Sequence, residues 1–416
     1  MSKKMSERNQ GILNTVGYSY NDLTVVPAVI SSIVSRKECN CIDDITNKLP
    51  IFTAPMLSVV NEYNYDIWCK NNINAILPRS VKYTKRIELL HKECWVALSL
   101  NEFEKLFVKN SNISDYTAKK FYVCVDLANG HMQKVYDVIN EAKNNANEYG
   151  FVLTVMTGNV ANPQTYEWIC KNAKVDYIRL SIGSGAGCLT TSNTATHYPI
   201  ATLIDECKKI ADNVALCYLD DDSEYLSLPY IVADGGIRNY SDVVKALALG
   251  ADYVMVGSLL AGLFESSADM VIESNDPVKY PVYYDRNTGE TEYYINYDES
   301  ETVHIWNGDT EEKKRELIRS MKSITKKFIG MSTKEAQIVI NSCLENPIIA
   351  NKQDLKTSEG CTKFIPCKYT IAQWVENMID YLRSAMSYTD CRTLYDFKNN
   401  VYLIPNSPSE IYAVNK

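Results

Sequence analysis

YIVADGGIRNYSDVVKALALGADYVMVGS, residues 230–258, decides the fold. It reads as strand, amphipathic helix, strand. YIVA and YVMV are short apolar runs that stop on polar or glycine residues, Asp234-Gly235-Gly236 and Gly257-Ser258, with NYSDVVKALALG between them. Neither run alternates apolar with polar residues. A continuous run implies a strand covered on both faces, as in a parallel sheet under helices. The same pattern recurs upstream in PIFTAP (50–55), NAIL (74–77), CWVALS (94–99), FYVCVD (121–126), FVLTVMTG (151–158) and YIRLSIG (177–183). HMQKVYDVINEAKN, NPQTYEWICKNA and TLIDECKKIADN are helical stretches between them. Eight such units in series predict an α/β fold, a (β/α)8 TIM barrel, over an open sheet.

The rhythm breaks from about residue 268 to 325. PVYYDRNTGETEYYINY reads as a hairpin turning near Asn287–Gly289, and TEEKKRELIRSMKSITKKF (310–328) as a charged amphipathic helix. A final helix, TIAQWVENMIDYLRSAMSY (370–388), is expected to return to the barrel. The expected organisation is one domain, 1–416, carrying 268–325 as a hairpin-plus-helix insertion.

Composition narrows the function. Lys and Arg number 43 against 51 Asp and Glu, a net charge of −8, and no dense basic cluster exists. Nonspecific nucleic-acid binding is therefore disfavoured. Anionic small ligands remain compatible, because backbone amides and helix N-termini hold phosphate without net positive charge. MSKKMSERNQ leads into no apolar run, and no stretch reaches the roughly 18–20 apolar residues of a membrane span. The 13 scattered cysteines fit reduced thiols better than a disulfide framework, so a cytoplasmic location is expected. Cys39 and Cys41 form a CxC without a second pair, which argues against zinc.

SIGSGAGCLTTS, residues 181–192, carries the chemistry. Gly183, Gly185 and Gly187 let the backbone approach a ligand closely, and Cys188 follows them on a loop at a strand end. Most of the cysteines lie in apolar runs and read as inert core thiols. Cys188 does not, and from chemistry alone it stands at even odds as a nucleophile. Thr190 could pass a proton to a neighbouring carboxylate. Asp126, Gly158-Asn159 and Asp234 follow strands, where a barrel carries its site, although a lone Asp there is more often a helix cap.

GSGAGCLTT resembles the catalytic cysteine loop of the IMP dehydrogenase/GMP reductase family. YSYNDLTVVP (18–27), PIFTAPM (50–56) and VADGGIRNYSDVVKALALGADYVMVGSLLAG (232–262) are also similar to that family, so the resemblance spans the chain except for 268–325. It implies that Cys188 attacks C2 of a purine nucleotide, with Thr190 and Glu359 handling protons. Asp234 would hold the ribose, and Gly235, Gly236, Gly257 and Ser258 the phosphate. Gly330, Met331, Ser332, Lys356, Ser358 and Gly360 would complete the substrate site. Ser35, Arg36, Asp126, Leu127, Ala128, Ile182, Gly183, Ser384, Ala385, Met386 and Ser387 would meet the cofactor. Gly183, Gly185, Cys188 and Thr191 resemble a potassium site. Ala186 stands where the family usually has a phosphate-binding serine. The resemblance also implies a homotetramer.

Within the family, VDLANGH (125–131), FIGMST (328–333), KTSEGCTKFIPCK (356–368) and YLRSAMSYTDCRTL (381–394) are similar to the reductase branch. The chain from NAIL to CWVALS leaves no room for the CBS module of most dehydrogenases. KEAQIVINSCLENPIIANKQDL (334–355) has neither Arg nor Tyr, the pair with which dehydrogenases activate water. These features imply reduction of GMP to IMP and ammonia with NADPH. Lys356 stands in place of an Arg and Cys361 in place of a Lys, which leaves NADH open, and VGSLLAG is closer to the dehydrogenase form. Two alternatives stay open: an IMP dehydrogenase without CBS domains, and a non-catalytic purine-nucleotide-binding barrel.

Overall fold

The decisive stretch folds as strand Tyr230–Asp234, helix Tyr240–Ala248 and strand Tyr253–Val256 in the computed structural model. The structure describes residues 16–116, 119–219, 228–273, 279–284, 291–298, 301–307, 310–320, 324–347, 355–407 and 411. Seven parallel strands, β1 (Ile51–Thr53), β2 (Trp95–Leu98), β3 (Lys120–Asp126), β4 (Val152–Val160), β5 (Tyr177–Leu180), β6 (Tyr230–Asp234) and β7 (Tyr253–Val256), pair in the order β1-β7-β6-β5-β4-β3-β2. The eighth place is filled by residues 74–77. Asn74 bridges to Phe52 and Leu77 to Val96, with Thr53 donating its amide to the Asn74 carbonyl at 2.9 Å and Ala97 to that of Leu77 at 2.8 Å. The ring is thereby closed into a barrel, and no strand edge is left open. A single helix, Tyr83–Leu90, lies between the 74–77 segment and β2, so no module is inserted there.

Local signals set the helices around the barrel. Asn162 caps the helix Pro163–Asn172, with Pro at its first position, and Asn239 and Asp242 form a capping box on Tyr240–Ala248. Side chains alternate along each strand, so every second residue points into the barrel. The innermost cluster holds Phe52, Trp95, Tyr177 and Tyr253, with Tyr122 and Tyr230 packed against it. Phe52 meets Trp95 at 5.5 Å and Tyr253 at 5.3 Å, edge to face, which favours close aromatic packing. Two residues further along the strands come Cys124, Val232 and Met255, and two further Asp126 and Asp234; Arg179 follows Tyr177 in the same alternation. An aromatic plug at one end thus supports a charged layer at the C-terminal end.

A second, antiparallel sheet lies beside the barrel. It contains β8 (Asp269–Glu273), β9 (Lys279–Tyr284), β10 (Thr291–Asp298), β11 (Glu301–Asn307), β12 (Ile324–Ile329) and β13 (Thr362–Pro366), in the order β11-β10-β9-β8-β12-β13. Strands β9 and β10 form the expected hairpin, from Val282 opposite Tyr293 to Tyr284 opposite Thr291. Its turn near Asn287–Gly289 lies outside the described residues. The helix expected over 310–328 is shorter, Glu311–Ser320, and from Ile324 on the stretch is strand β12. Burial explains this correction: Ile324, Lys326 and Phe328 are buried, while Thr325 and Lys327 between them are half-buried, a period of two. Pairing to β8 on one side and β13 on the other overrides the helical preference of the lysines.

The closing helix, Ile371–Tyr388, packs on the barrel as expected. Trp374 stacks on Tyr240 at 5.5 Å, and Met378, Leu382 and Met386 are buried against the barrel's helices. Among the described residues no helix is long and apolar enough to cross a membrane.

Candidate active site

The charged layer is organised by Arg179, a guanidinium whose side chain is 8% exposed. Its Nε donates to Asp234 Oδ2 at 3.0 Å, its Nη1 to Asp126 Oδ1 at 2.9 Å and its Nη2 to Asn159 Oδ1 at 2.9 Å. Asn159 Nδ2 donates in turn to Asp234 Oδ2 at 2.7 Å, and Arg79 Nε to Asp126 Oδ2 at 3.2 Å. Burial alone would raise the Asp126 carboxyl. Arg79 and Arg179 outweigh it and hold the group below its usual range. The planar fork fixes both carboxylates at once, which a lysine ammonium cannot do. Asp234 is thereby aimed with Oδ1 free of protein partners among the described residues. Arg179 and Arg79 were missed in the sequence. The available signal was an arginine inside the apolar run YIRLSIG, where a charge is costly unless it is paired.

The loop after β5 carries Cys188. Gly183 has φ +79, and a Cβ there would fall 1.9 Å from Thr191 Oγ1. A Cβ on Gly187 would meet the Phe328 ring at 2.6 Å, so the loop lies flat against β12. Backbone hydrogen bonds join it to two other loops. Gly236 donates to the Ser184 carbonyl at 3.1 Å, Leu189 to that of Glu359 at 2.6 Å and Cys361 to that of Gly187 at 3.0 Å. Cys188 and Gly360 pair as an antiparallel bridge, and Gly330 donates to the Cys361 carbonyl at 3.0 Å.

This stitching brings Cys188, Thr190 and Glu359 into one hydrogen-bonded line. Cys188 Sγ donates to Thr190 Oγ1 at 3.2 Å, and Thr190 Oγ1 donates to Glu359 Oε2 at 2.6 Å. Cys188 is half-buried, unlike the fully enclosed Cys124 and Cys170, whose thiols burial pushes up to about 11. Thr191 Oγ1 and Ser184 Oγ are buried without a hydrogen-bond partner among the described residues. The Thr191 hydroxyl lies against Gly183, at the start of the loop.

The remaining expected residues fall into two groups. Gly235 and Gly330 lie against the cysteine loop, facing the Gly185 amide and the Gly187 carbonyl. Gly257 and Ser258 follow β7, where Gly257 faces Met56 and Ala54, while Ser358 Oγ donates to the Gly360 carbonyl at 3.0 Å and the Lys356 main chain is bound by Gln337. Asp126 ends β3, Leu127 and Ala128 follow it, and Ile182 and Gly183 begin the cysteine loop. The second group lies where the N-terminal segment meets the closing helix. Ser35 caps a short turn, Arg36 Nη1 donates to Ser384 Oγ at 3.3 Å, and Ser31 Oγ donates to the Ser387 carbonyl at 2.7 Å. Ala385 is half-buried and Met386 fully buried, which leaves the Met386 side chain no route to a ligand. Among the described residues no hydrogen bond or ion pair links this group to the cysteine loop.

A closed (β/α)8 barrel with a cysteine–threonine–glutamate path at its C-terminal mouth defines a barrel enzyme with acid–base equipment beside a thiol. Residues 80–288, just over half the chain, match the model of the IMP dehydrogenase / GMP reductase domain, and the chain belongs to that family of oxidoreductases. It is 29% identical over 275 residues to a GMP reductase of Oceanobacillus iheyensis, covering 63% of this chain and 76% of the relative. A GMP reductase of Helicobacter pylori is 27% identical over 278 residues, 64% and 77% of the two chains. GMP reductase 2 of Bos taurus is 27% identical over 300 residues, 68% and 78%.

Proposed function

We propose that the chain is a GMP reductase, converting GMP to IMP and ammonia through a thioimidate on Cys188. The observation that carries this reading is the unbroken path from Cys188 through Thr190 to Glu359, at 3.2 and 2.6 Å. The thiol loses its proton along that path as the sulfur bonds to C2 of the purine. The C2–N bond then breaks, and Glu359 returns a proton through Thr190 so that the amine leaves as ammonia. NADPH, or NADH, supplies the hydride that C2 accepts when bound. The C2–S bond breaks in that step and IMP is released. Asp234, aimed by Arg179 and Asn159, holds the ribose hydroxyls. The amides of Gly235, Gly236, Gly257 and Ser258 hold the phosphate, and Gly330, Met331 and Ser332 meet the base.

Arg36, which pairs with Asp380 at 3.2 Å, and the hydroxyls of Ser35, Ser384 and Ser387 would supply one cation and several donors to the phosphates of a dinucleotide. Asp126 to Ala128 would take its other end. Thr191 with the carbonyls of Gly183, Gly185 and Cys188 would hold potassium and stiffen the loop. A single domain over 1–416 with 268–325 inserted, a homotetramer and a cytoplasmic location belong to the same reading. The similarity of VGSLLAG to the dehydrogenase form supports one competitor, oxidation of IMP. Cys188→Ala tests the covalent step. Turnover is expected to vanish while GMP binding stays within about tenfold, because ribose and phosphate contacts survive. Residual activity above a few per cent overturns the mechanism.

A further inference from the structure

We infer that Gln337 is a positioning residue for the proton path, a latch that ties the base-contacting loop to the segment carrying Glu359. The helix Lys334–Ser342 begins directly after Gly330–Ser332 and is capped by Thr333, whose Oγ1 accepts from the Ala336 amide at 3.1 Å and donates to the Gly330 carbonyl at 2.8 Å. One turn in, the half-buried Gln337 carboxamide makes three hydrogen bonds, all to main chain. Its Nε2 donates to the Ser332 carbonyl and to the Lys356 carbonyl, each at 3.1 Å, and its Oε1 accepts from the Lys356 amide at 2.9 Å. Both polar atoms are used, and Lys356 is gripped by its own N–H and C=O together.

Lys356 stands three residues before Glu359. The chain past Glu359 is already fixed by the Cys188–Gly360 bridge and by the Leu189 amide on the Glu359 carbonyl. A Cβ on Gly360 would lie 2.9 Å from Ser332 Oγ and 3.1 Å from the Thr333 amide, so the two loops also touch there. Among the described residues Gln337 is a polar anchor on the upstream side, and with the bridge it holds Glu359 from both ends. Thr190 sits 2.6 Å from Glu359, and a proton path of that length tolerates little drift. Because the same carboxamide holds Ser332, occupation of the base site and alignment of Glu359 are coupled mechanically. The inference rests on the reading of Glu359 as the proton carrier and assigns Gln337 no contact with substrate.

A double-mutant cycle on the full chain tests it, with GMP and NADPH as substrates. Gln337→Met keeps the length and loses the hydrogen bonds. It is expected to lower kcat about tenfold or more with KM for GMP within about threefold, and to cost less than about twofold when introduced into Glu359→Gln. Gln337→Glu supplies a second readout that a folding defect would not produce. Its carboxylate keeps the bond from the Lys356 amide but faces two carbonyls without a proton to donate. Its activity relative to the wild type should therefore rise as pH falls and the carboxyl protonates. An undiminished loss in the Glu359→Gln background, an effect on KM alone, or a flat pH ratio overturns the latch. If Glu359→Gln is crippled while Gln337→Met is not, only the latch falls. If Glu359→Gln itself costs nothing, the proton path falls and the latch with it.

Discussion

Thr190 and Glu359, 169 residues apart in the chain, share a 2.6 Å hydrogen bond at the barrel mouth, and Cys188 joins the same line through its thiol. That contact separates two halves of the proposed reaction. Loss of ammonia needs a proton delivered and hydride transfer does not. Glu359→Gln keeps size and hydrogen bonding but carries no proton, so deamination of GMP is expected to fall about 10²–10⁴-fold. Hydride exchange between IMP and oxidised cofactor should retain a larger fraction of its wild-type rate. Equal loss in both assays would contradict this division.

Arg179 bridges Asp234 and Asp126 with different nitrogens, and Arg179→Lys removes that fork while keeping a charge. Asp234 then loses its aim. The KM for GMP is expected to rise about tenfold or more, the scale of one misplaced charge-assisted contact, with a smaller change in kcat. An unchanged KM would show that Asp234 needs no such support.

Asp126 gives a prediction in pH. Its folded pKa is depressed, so the stability it contributes is present above the unfolded value, about 3.9, and is lost as pH falls through the folded one. Asp126→Asn leaves Arg79 and Arg179 short of a partner and should cost about 3 kcal/mol at pH 7. In urea titrations that difference should shrink below about pH 4. A gap that stays constant to pH 3 would mean that Asp126 does not act as a carboxylate ion pair.

The barrel was legible because its strands announce themselves as continuous apolar runs ending in Asp or Gly. Even NAIL, too short for a regular strand, takes its place through bridges at Asn74 and Leu77. Cys188 was legible because a glycine loop restricts what can stand in it, with Thr190 two residues on, whereas Glu359 entered only through the family resemblance. Residues 324–329 were misread because Lys326 and Lys327 look solvated. In the fold the Lys326 ammonium is buried, and its Nζ donates to the carbonyls of Phe264 and Ser266 at 3.1 Å each. Arg179 acts through Asp126 and Asp234, more than fifty residues away on either side, which no local spacing records.

The most direct measurement is chromatography of nucleotides after incubating the purified chain with GMP plus NADPH, and separately with IMP plus NAD. The expected result is IMP with stoichiometric ammonia from the first mixture, absent with Cys188→Ala, and no steady production of xanthosine monophosphate from the second. Xanthosine monophosphate formed continuously from IMP, with no ammonia from GMP, would contradict the reductase reading.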